Sequence, residues 1–129
     1  MLTSDLDTTR LAIIGPGRLG TAFAYKFGRD NKRVAIYYHD AEVCKTINRD
    51  HLNPLHLTED LAGRLGGMEK VPRLADKVYA TNDLEHIVEN NDFIILTITM
   101  NRLPEFLNYL KPMIDKKAGD TCLISPIKG

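Results

Sequence analysis

The hydrophobic positions of this chain fall into short unbroken runs, separated by stretches in which they recur every three or four residues. Leu11-Ala12-Ile13-Ile14 is apolar throughout and stops at Gly15. It is too short for a helix and reads as a strand buried on both faces. Leu19, Ala22, Phe23 and Phe27 then recur at helical spacing, and Gly28 stands where such a helix would stop. Val34 to Tyr38, rich in β-branched and aromatic residues, predicts a second strand. Asp40 precedes a predicted helix over 41–48 with the apolar stripe Val43, Cys44 and Ile47. The stretch from Arg49 to Asp76 carries no clear period. A short capped helix is expected at Thr58-Glu59-Asp60-Leu61-Ala62, stopped by Gly66-Gly67. Val78-Tyr79-Ala80 predicts a brief strand. Asn82 to Asn90 predicts a helix capped by Asn82, with Glu85 three residues on, Leu84, Ile87 and Val88 sharing a face, and His86 solvated on the polar side.

Phe93 to Ile98 is the strongest strand signal and suits a central parallel strand covered on both sides. Leu103, Phe106, Leu107 and Leu110 predict the next helix, with Pro104 in its first turn and Pro112 beyond its last. Thr121 to Ile124 predicts a final strand. Strands alternating with helices imply an α/β fold: a doubly wound parallel sheet of about five strands, order 3-2-1-4-5, with helices on both faces.

At 129 residues the chain is one domain in length, and its 43% hydrophobic content supplies a core. Residues 1–10 are polar and read as a leader without a signal peptide, leaving 11–129 as the domain. The 17 basic and 17 acidic residues cancel, which removes the electrostatic argument for nucleic acid or an anionic membrane. No apolar run approaches the ~18 residues of a membrane span. Cys44 and Cys122 form neither a metal knuckle nor a Cys-x-x-Cys pair, and both have apolar neighbours. They read as reduced, buried thiols of a cytoplasmic protein. His39, His51, His56 and His86 show no metal-ligand spacing, and no Ser-His-Asp arrangement stands out.

The chemistry concentrates at Gly15-Pro16-Gly17-Arg18-Leu19-Gly20, which follows a strand and opens a helix. In that context Gly15 allows a tight turn, Gly17 lets the backbone approach a pyrophosphate, and Gly20 lets the helix lie close on the sheet. Helix N-terminal amides carry partial positive charge and attract a diphosphate. The setting predicts a Rossmann fold that binds NAD or NADP. Asp40 lies 20 residues after Gly20, where an acid accepting from a ribose hydroxyl belongs, and equally where a helix N-cap belongs. His39 and Arg33 could instead meet a 2′-phosphate, so NADP stays open while NAD is favoured. Arg18 stands either near the diphosphate or in solvent. Ligands of open parallel sheets bind at the carboxyl ends of strands. That rule adds Thr99, Met100 and Asn101, of which Asn101 reads first as a helix cap, and Lys128, a lone cation at the mouth of the expected cleft or a solvated terminal lysine.

On these residues the chain resembles the N-terminal domain of NAD(P)-dependent glycerol-3-phosphate dehydrogenase. The likeness runs from Leu11 to Gly129 and includes Gly15-x-Gly17-x-x-Gly20 with Thr21-Ala22, Ile47-Asn48-Arg49-Asp50, and Asn53-Pro54-Leu55-His56-Leu57. Ala80-Thr81-Asn82-Asp83-Leu84, Leu110-Lys111-Pro112 and the closing Ile127-Lys128-Gly129 continue it. The resemblance implies hydride transfer between NAD(P)H and dihydroxyacetone phosphate, a small phosphorylated substrate, in a full-length parent. It raises Lys128 to a substrate-binding candidate, because the family has a Lys-Gly pair there. His56 and Thr58 replace the family's tyrosine and second proline, and Ile98-Thr99 replaces its Val-Pro. The family's helical domain and catalytic lysine lie beyond the Lys-Gly, so the chain is expected to be an excised or partial domain, inactive alone, whose last strand is an open edge for self-association. The alternatives are a non-catalytic nucleotide-binding module and the N-terminal domain of an opine- or 2-oxoacid-type dehydrogenase.

Overall fold

Five strands form one parallel sheet in the order β3-β2-β1-β4-β5, the order expected from sequence. The computed structural model describes residues 10–15, 17–30, 32–55, 63–99, 101–117 and 119–126. Residues 1–9 of the expected leader and the expected helix at Thr58–Ala62 lie outside them, while Arg10, expected to close the leader, instead opens the first strand of the sheet. The elements are β1 (Arg10–Ile14), α1 (Arg18–Arg29), β2 (Arg33–Tyr37), α2 (Ala41–Asp50), β3 (Val78–Thr81), α3 (Leu84–Asn90), β4 (Phe93–Leu96), α4 (Leu103–Lys116) and β5 (Cys122–Ile124), with a 3-10 turn at Met68–Lys70.

The unbroken apolar strands are explained by two cores, one on each face of the sheet. Alternate residues Leu11, Ile13, Val34, Ile36, Val78 and Ala80 pack under α1 and α2 with Ala24, Cys44 and Ile47. The intervening Ala12, Ile14, Ala35, Ile94 and Leu96 pack under α3 and α4 with Ile87, Val88 and Leu110. A strand in such a sheet has no polar face to show. β1 sits at the centre, registered with β2 through Ile13↔Ile36 and with β4 through Ile13↔Ile95. The chain steps outward from β1 to β3 and returns to the other side of β1 at β4. The carboxyl ends of β1 and β4 therefore diverge and leave a crevice between their loops.

Several local expectations are corrected. Gly28 does not stop α1. It lies inside the helix and buried, and a Cβ there would stand 2.5 Å from Val78 Cγ2, so its role is close packing of α1 on β3. Leu19 and Ala22 are exposed, and the buried stripe of α1 is Gly20, Ala24 and Gly28. Asp83, not Asn82, caps α3, its side chain accepting from His86 N at 3.1 Å. His86 is half-buried rather than solvated, its Nε2 2.9 Å from the Tyr79 hydroxyl. Pro112 lies within α4, which runs on to Lys116. β4 ends at Leu96, two residues before the predicted end. Cys44 is buried as expected, but Cys122 is exposed on the edge strand β5.

Candidate functional site

The glycine turn is built by hydrogen bonds that converge on the end of β1. Gly15 N donates to Tyr37 O at 3.1 Å, and Thr97 N donates to Ile14 O at 3.0 Å. The Thr97 hydroxyl stands 2.8 Å from Ile14 O and 3.0 Å from Gly15 O, shared between the two carbonyls. Gly15 has φ +105°, a conformation that strains any other residue, and a Cβ there would meet Thr97 Oγ1 at 2.9 Å. A Cβ on Gly20 would overlap the Gly15 carbonyl oxygen. Both residues are glycine because the turn itself requires it.

Gly17 is different. Its φ of −69° suits any residue, and a Cβ there would meet nothing within 4 Å. It is the N-cap of α1 and offers no side-chain cap, and the first turn of the helix holds no acidic residue. The opening amides of α1 thus stand at the carboxyl end of β1 with partial positive charge and no acidic side chain in the helix's first turn. This cradle fits a diphosphate: the space a Cβ would take is left clear for a group from outside the chain. Arg18 and Leu19 are exposed in the same turn. Pro16 lies outside the described residues.

Beside the turn lies a cleft of about 330 Å³, lined by Gly15 from β1, Tyr38 and His39 after β2, Ile98 after β4, and Arg102 and Tyr109 of α4. It occupies the crevice where the strand order reverses. His39 is exposed and lies against Tyr38, ring centroids 4.3 Å apart. Tyr37 also lines the cleft, and burial pushes its hydroxyl up, so it remains protonated in the neutral range. The Cys44 thiol, pushed up first by burial, stands under the same strand end, its Sγ 3.6 Å from Tyr38 O.

Of the residues singled out from sequence, Gly15, Gly17, Arg18, Leu19, Gly20, His39 and Asp40 gather at the carboxyl ends of β1 and β2. Asp40 is exposed and caps α2, with Oδ1 accepting from Glu42 N at 2.9 Å and Val43 N at 3.4 Å. Both bonds use Oδ1, leaving Oδ2 outside the cap. Arg33 is a correction: it opens β2, opposite Arg10, at the far end of the sheet from the glycine turn, and cannot reach a ribose bound there. Thr99 is exposed and turns the chain into α4, its carbonyl accepting from Arg102 N and Leu103 N at 3.0 and 3.1 Å. Asn101 is exposed and is not the cap of α4, since Arg102 holds that position without a side-chain bond. Met100 and Lys128 lie outside the described residues.

Sequence reasoning missed Thr97 and the α4 wall of the cleft. Arg102, Glu105, Phe106 and Tyr109 stand at i, i+3, i+4 and i+7, a helical stripe beside the core stripe of Leu103, Phe106, Leu107 and Leu110. That spacing was the available signal, overshadowed by the stronger apolar one. Among the described residues no three His, Cys, Asp or Glu side chains come together as a metal site, and no helix is long and apolar enough to cross a membrane.

Comparison with known proteins places this geometry in context. Residues 10–129 match the family model described as NAD-dependent glycerol-3-phosphate dehydrogenase N-terminus. A glycerol-3-phosphate dehydrogenase [NAD(P)+] of Treponema denticola is 33% identical over 87 residues, 67% of this chain and 21% of the relative. One from Lactobacillus delbrueckii subsp. bulgaricus is 23% identical over 121 residues, 94% of this chain and 32% of the relative. The crystal structure of glycerol-3-phosphate dehydrogenase from Coxiella burnetii shares the fold, with a TM-score of 0.75 at 19% identity over 95% of this chain and 33% of that one. The chain spans about a fifth to a third of the length of these relatives.

Proposed function

The chain belongs to the family of the NAD-dependent glycerol-3-phosphate dehydrogenase N-terminus, and from that membership we propose that it holds NAD(H) or NADP(H) on the glycine turn at the carboxyl end of β1. The observation that carries this reading is Gly17, a glycine that neither packing nor backbone conformation demands, at the uncapped start of α1. Gly15, Pro16, Gly17, Arg18, Leu19 and Gly20 receive the diphosphate in this reading. His39 and Asp40 flank the adenine ribose, with Asp40 Oδ2 accepting from its hydroxyl while Oδ1 keeps the cap. Thr99, Met100 and Asn101 stand toward the remaining half of the cofactor, and Lys128 toward a phosphorylated substrate. The binding domain in this reading is 10–129, because Arg10 already belongs to β1, and the leader is 1–9.

When bound, the cofactor supplies the hydride chemistry. The chain's own part is to fix its position and to offer fixed donors to its phosphates. For the full-length enzyme that such a domain serves, the reaction proposed is reversible hydride transfer between NAD(P)H and dihydroxyacetone phosphate, in the cytoplasm. With Arg33 removed to the far end of the sheet, Asp40 remains as a carboxylate beside the ribose position, and a carboxylate repels a 2′-phosphate. NAD(H) is therefore expected to bind more tightly than NADP(H).

Calorimetric titration of the chain with NADH and with NADPH tests this reading. Saturable heat with NADH is expected, with at least a tenfold weaker response to NADPH, about 1.4 kcal/mol. Gly17→Val fills the clear space and is expected to abolish binding of both. No heat with either cofactor, or equal binding by the variant, overturns the site; a preference for NADPH overturns the role of Asp40. We also propose self-association through β5, whose outer edge pairs with no strand among the described residues and whose three residues are all exposed. Light scattering that reports a monomer across a concentration series would refute it.

A further inference from the structure

A second pocket lies at the amino ends of the strands, away from the glycine turn. The register sets Arg10 directly opposite Arg33 on neighbouring strands. Strand alternation turns both toward the α3 and α4 face, where Ala12 and Ala35 also point. Two like charges in directly opposed positions repel. Arg10 is relieved: its Nη2 lies 2.9 Å from Asp92 Oδ1 and its Nε 3.3 Å from Oδ2. Arg33 has no such relief, and forms no ion pair among the described residues. It faces a hollow of about 140 Å³, walled by Tyr79, His86 and Asn90 over the small side chain of Ala35, with no carboxylate in its lining.

The hydrogen bonds around His86 dictate which proton enters that hollow. Asn90 Nδ2 lies 2.9 Å from the His86 carbonyl oxygen, which can only accept, so this end of the amide is the donor. The same Nδ2 lies 3.2 Å from His86 Nδ1, which must then be the accepting nitrogen. The ring proton is therefore on Nε2, and it is donated to the Tyr79 hydroxyl oxygen at 2.9 Å. The hydroxyl's own hydrogen is left for a third party. Burial also pushes the Tyr79 hydroxyl up and keeps it protonated. An unpaired guanidinium and an oriented hydroxyl donor share one small cavity, whose lining of Arg10, Ala35, His86, Asn90 and Asn91 holds no carboxylate.

We propose that this pocket binds a small phosphate-type oxyanion, gripped by Arg33 and by the Tyr79 hydroxyl. A guanidinium presents paired N–H donors matched to an oxyanion, and the neutral hydroxyl adds a bond without further charge. The four residue-to-residue steps from Arg33 to Tyr37 put the pocket roughly 13 Å along β2 from the cleft at the other end. The two sites are separate and the oxyanion does not compete with a dinucleotide.

The test is a titration of the isotope-labelled chain with inorganic phosphate at fixed ionic strength, followed by NMR, with chloride as control. Saturable shifts are expected at Arg33 Nε–H, Tyr79 and the His86 amide. Arg33→Ala should weaken them by about tenfold or more, as loss of a charge-assisted bond does. Tyr79→Phe, which keeps the ring packing, should weaken them by a smaller factor. Shifts caused by phosphate at Gly17 and Arg18, if present, should survive both substitutions. Phenyl phosphate tells two sources apart: saturation at the same residues extends the ligand to phosphate monoesters, and its exclusion while phosphate binds confines the pocket to the free ion. The proposal is overturned by absence of saturable shifts at Arg33, Tyr79 and His86, by equal shifts with chloride, or by unchanged affinity in Arg33→Ala.

Discussion

Gly17 and Gly20 stand three residues apart in one motif and are glycine for opposite reasons. Gly20 is imposed from inside, because a methyl group there would collide with the Gly15 carbonyl, a backbone atom with nowhere to go. At Gly17 no atom of the described residues lies within 4 Å of where a Cβ would stand, so the demand for glycine comes from outside them. Stability measurements separate the two. Gly20→Ala should destabilise the fold by roughly 1–3 kcal/mol or more, as forced overpacking does. Gly17→Ala gives up a favourable N-cap residue but also removes unfolded-state freedom, and the two effects of about 1 kcal/mol each nearly cancel. Denaturant titrations should show a lowered midpoint for Gly20→Ala and a near-normal one for Gly17→Ala. Equal losses would mean that Gly17 is structural and would remove its value as a sign of a ligand. At this scale the sequence was legible where a residue's role depends on its neighbours in the chain. The motif and the Asp40 cap are of that kind. Arg33 was misplaced because its distance from the turn depends on strand register, which spacing alone does not report.

The misread element boundaries share one cause: tertiary contacts override local stop signals. Pro112 costs about 3 kcal/mol or more in a helix interior. Met113 and Ile114 beyond it are partly buried against the core on the α4 face, and together they offset a cost of that order, each gaining part of the roughly 1.5–3 kcal/mol that full burial gives. α4 therefore continues. Gly28 is a stop signal in sequence and a contact surface in space, because β3 passes directly beneath it. The ends of three elements are tied by charge instead. Asp92, just before β4, accepts from Arg10 at the start of β1, and Lys117, which closes α4, lies 3.7 Å away while donating to Asn91 O and Thr121 Oγ1. The hydrogen bond from Arg10 is the chief reason that the Asp92 carboxyl is held below its ordinary range. A carboxyl with a lowered folded pKa contributes stability above its unfolded value, near 3.9, and loses it as the pH falls toward the folded one. The pair is partly exposed, so the contribution is modest and screened by salt. The melting temperature should fall less between about pH 5 and pH 3 in Asp92→Asn than in the parent chain. Parallel slopes in the two proteins would show that the tie contributes nothing to folding.

For the molecule as a whole, the topology was the most legible feature, because four strongly apolar runs with helical intervals admit few arrangements once crossovers are right-handed. The cleft was less so. Its floor follows from the glycine turn, but its α4 wall comes from a helix about 80 residues later, brought alongside only by the return of the chain past β1. The same topology predicts how stability is spread. β1 pairs on both sides and carries Ala12, Ile13 and Ile14 at 0–1% exposure. β2 and β4 also pair on both sides, and they bury Val34, Ala35 and Ile36, and Ile94, Ile95 and Leu96, under helices on both faces, while Phe93 at the start of β4 is exposed. β5 pairs on one side only, is three residues long, and leaves Leu123 and Ile124 39% and 40% exposed. Local openings begin where few apolar contacts must be broken. Native-state hydrogen exchange should therefore find the slowest amides in β1, followed by β2 and β4. The β5 amides should exchange through small local openings that depend little on denaturant. The central strands should exchange only through openings whose free energy approaches that of global unfolding and falls steeply with denaturant. If β5 proved as protected as β1 in dilute solution, its outer edge would have to be covered, and raising the protein concentration distinguishes the source. Protection that grows with concentration identifies a second copy on the edge, whereas protection independent of concentration would refute the exposed, loosely held β5 on which this distribution of stability rests.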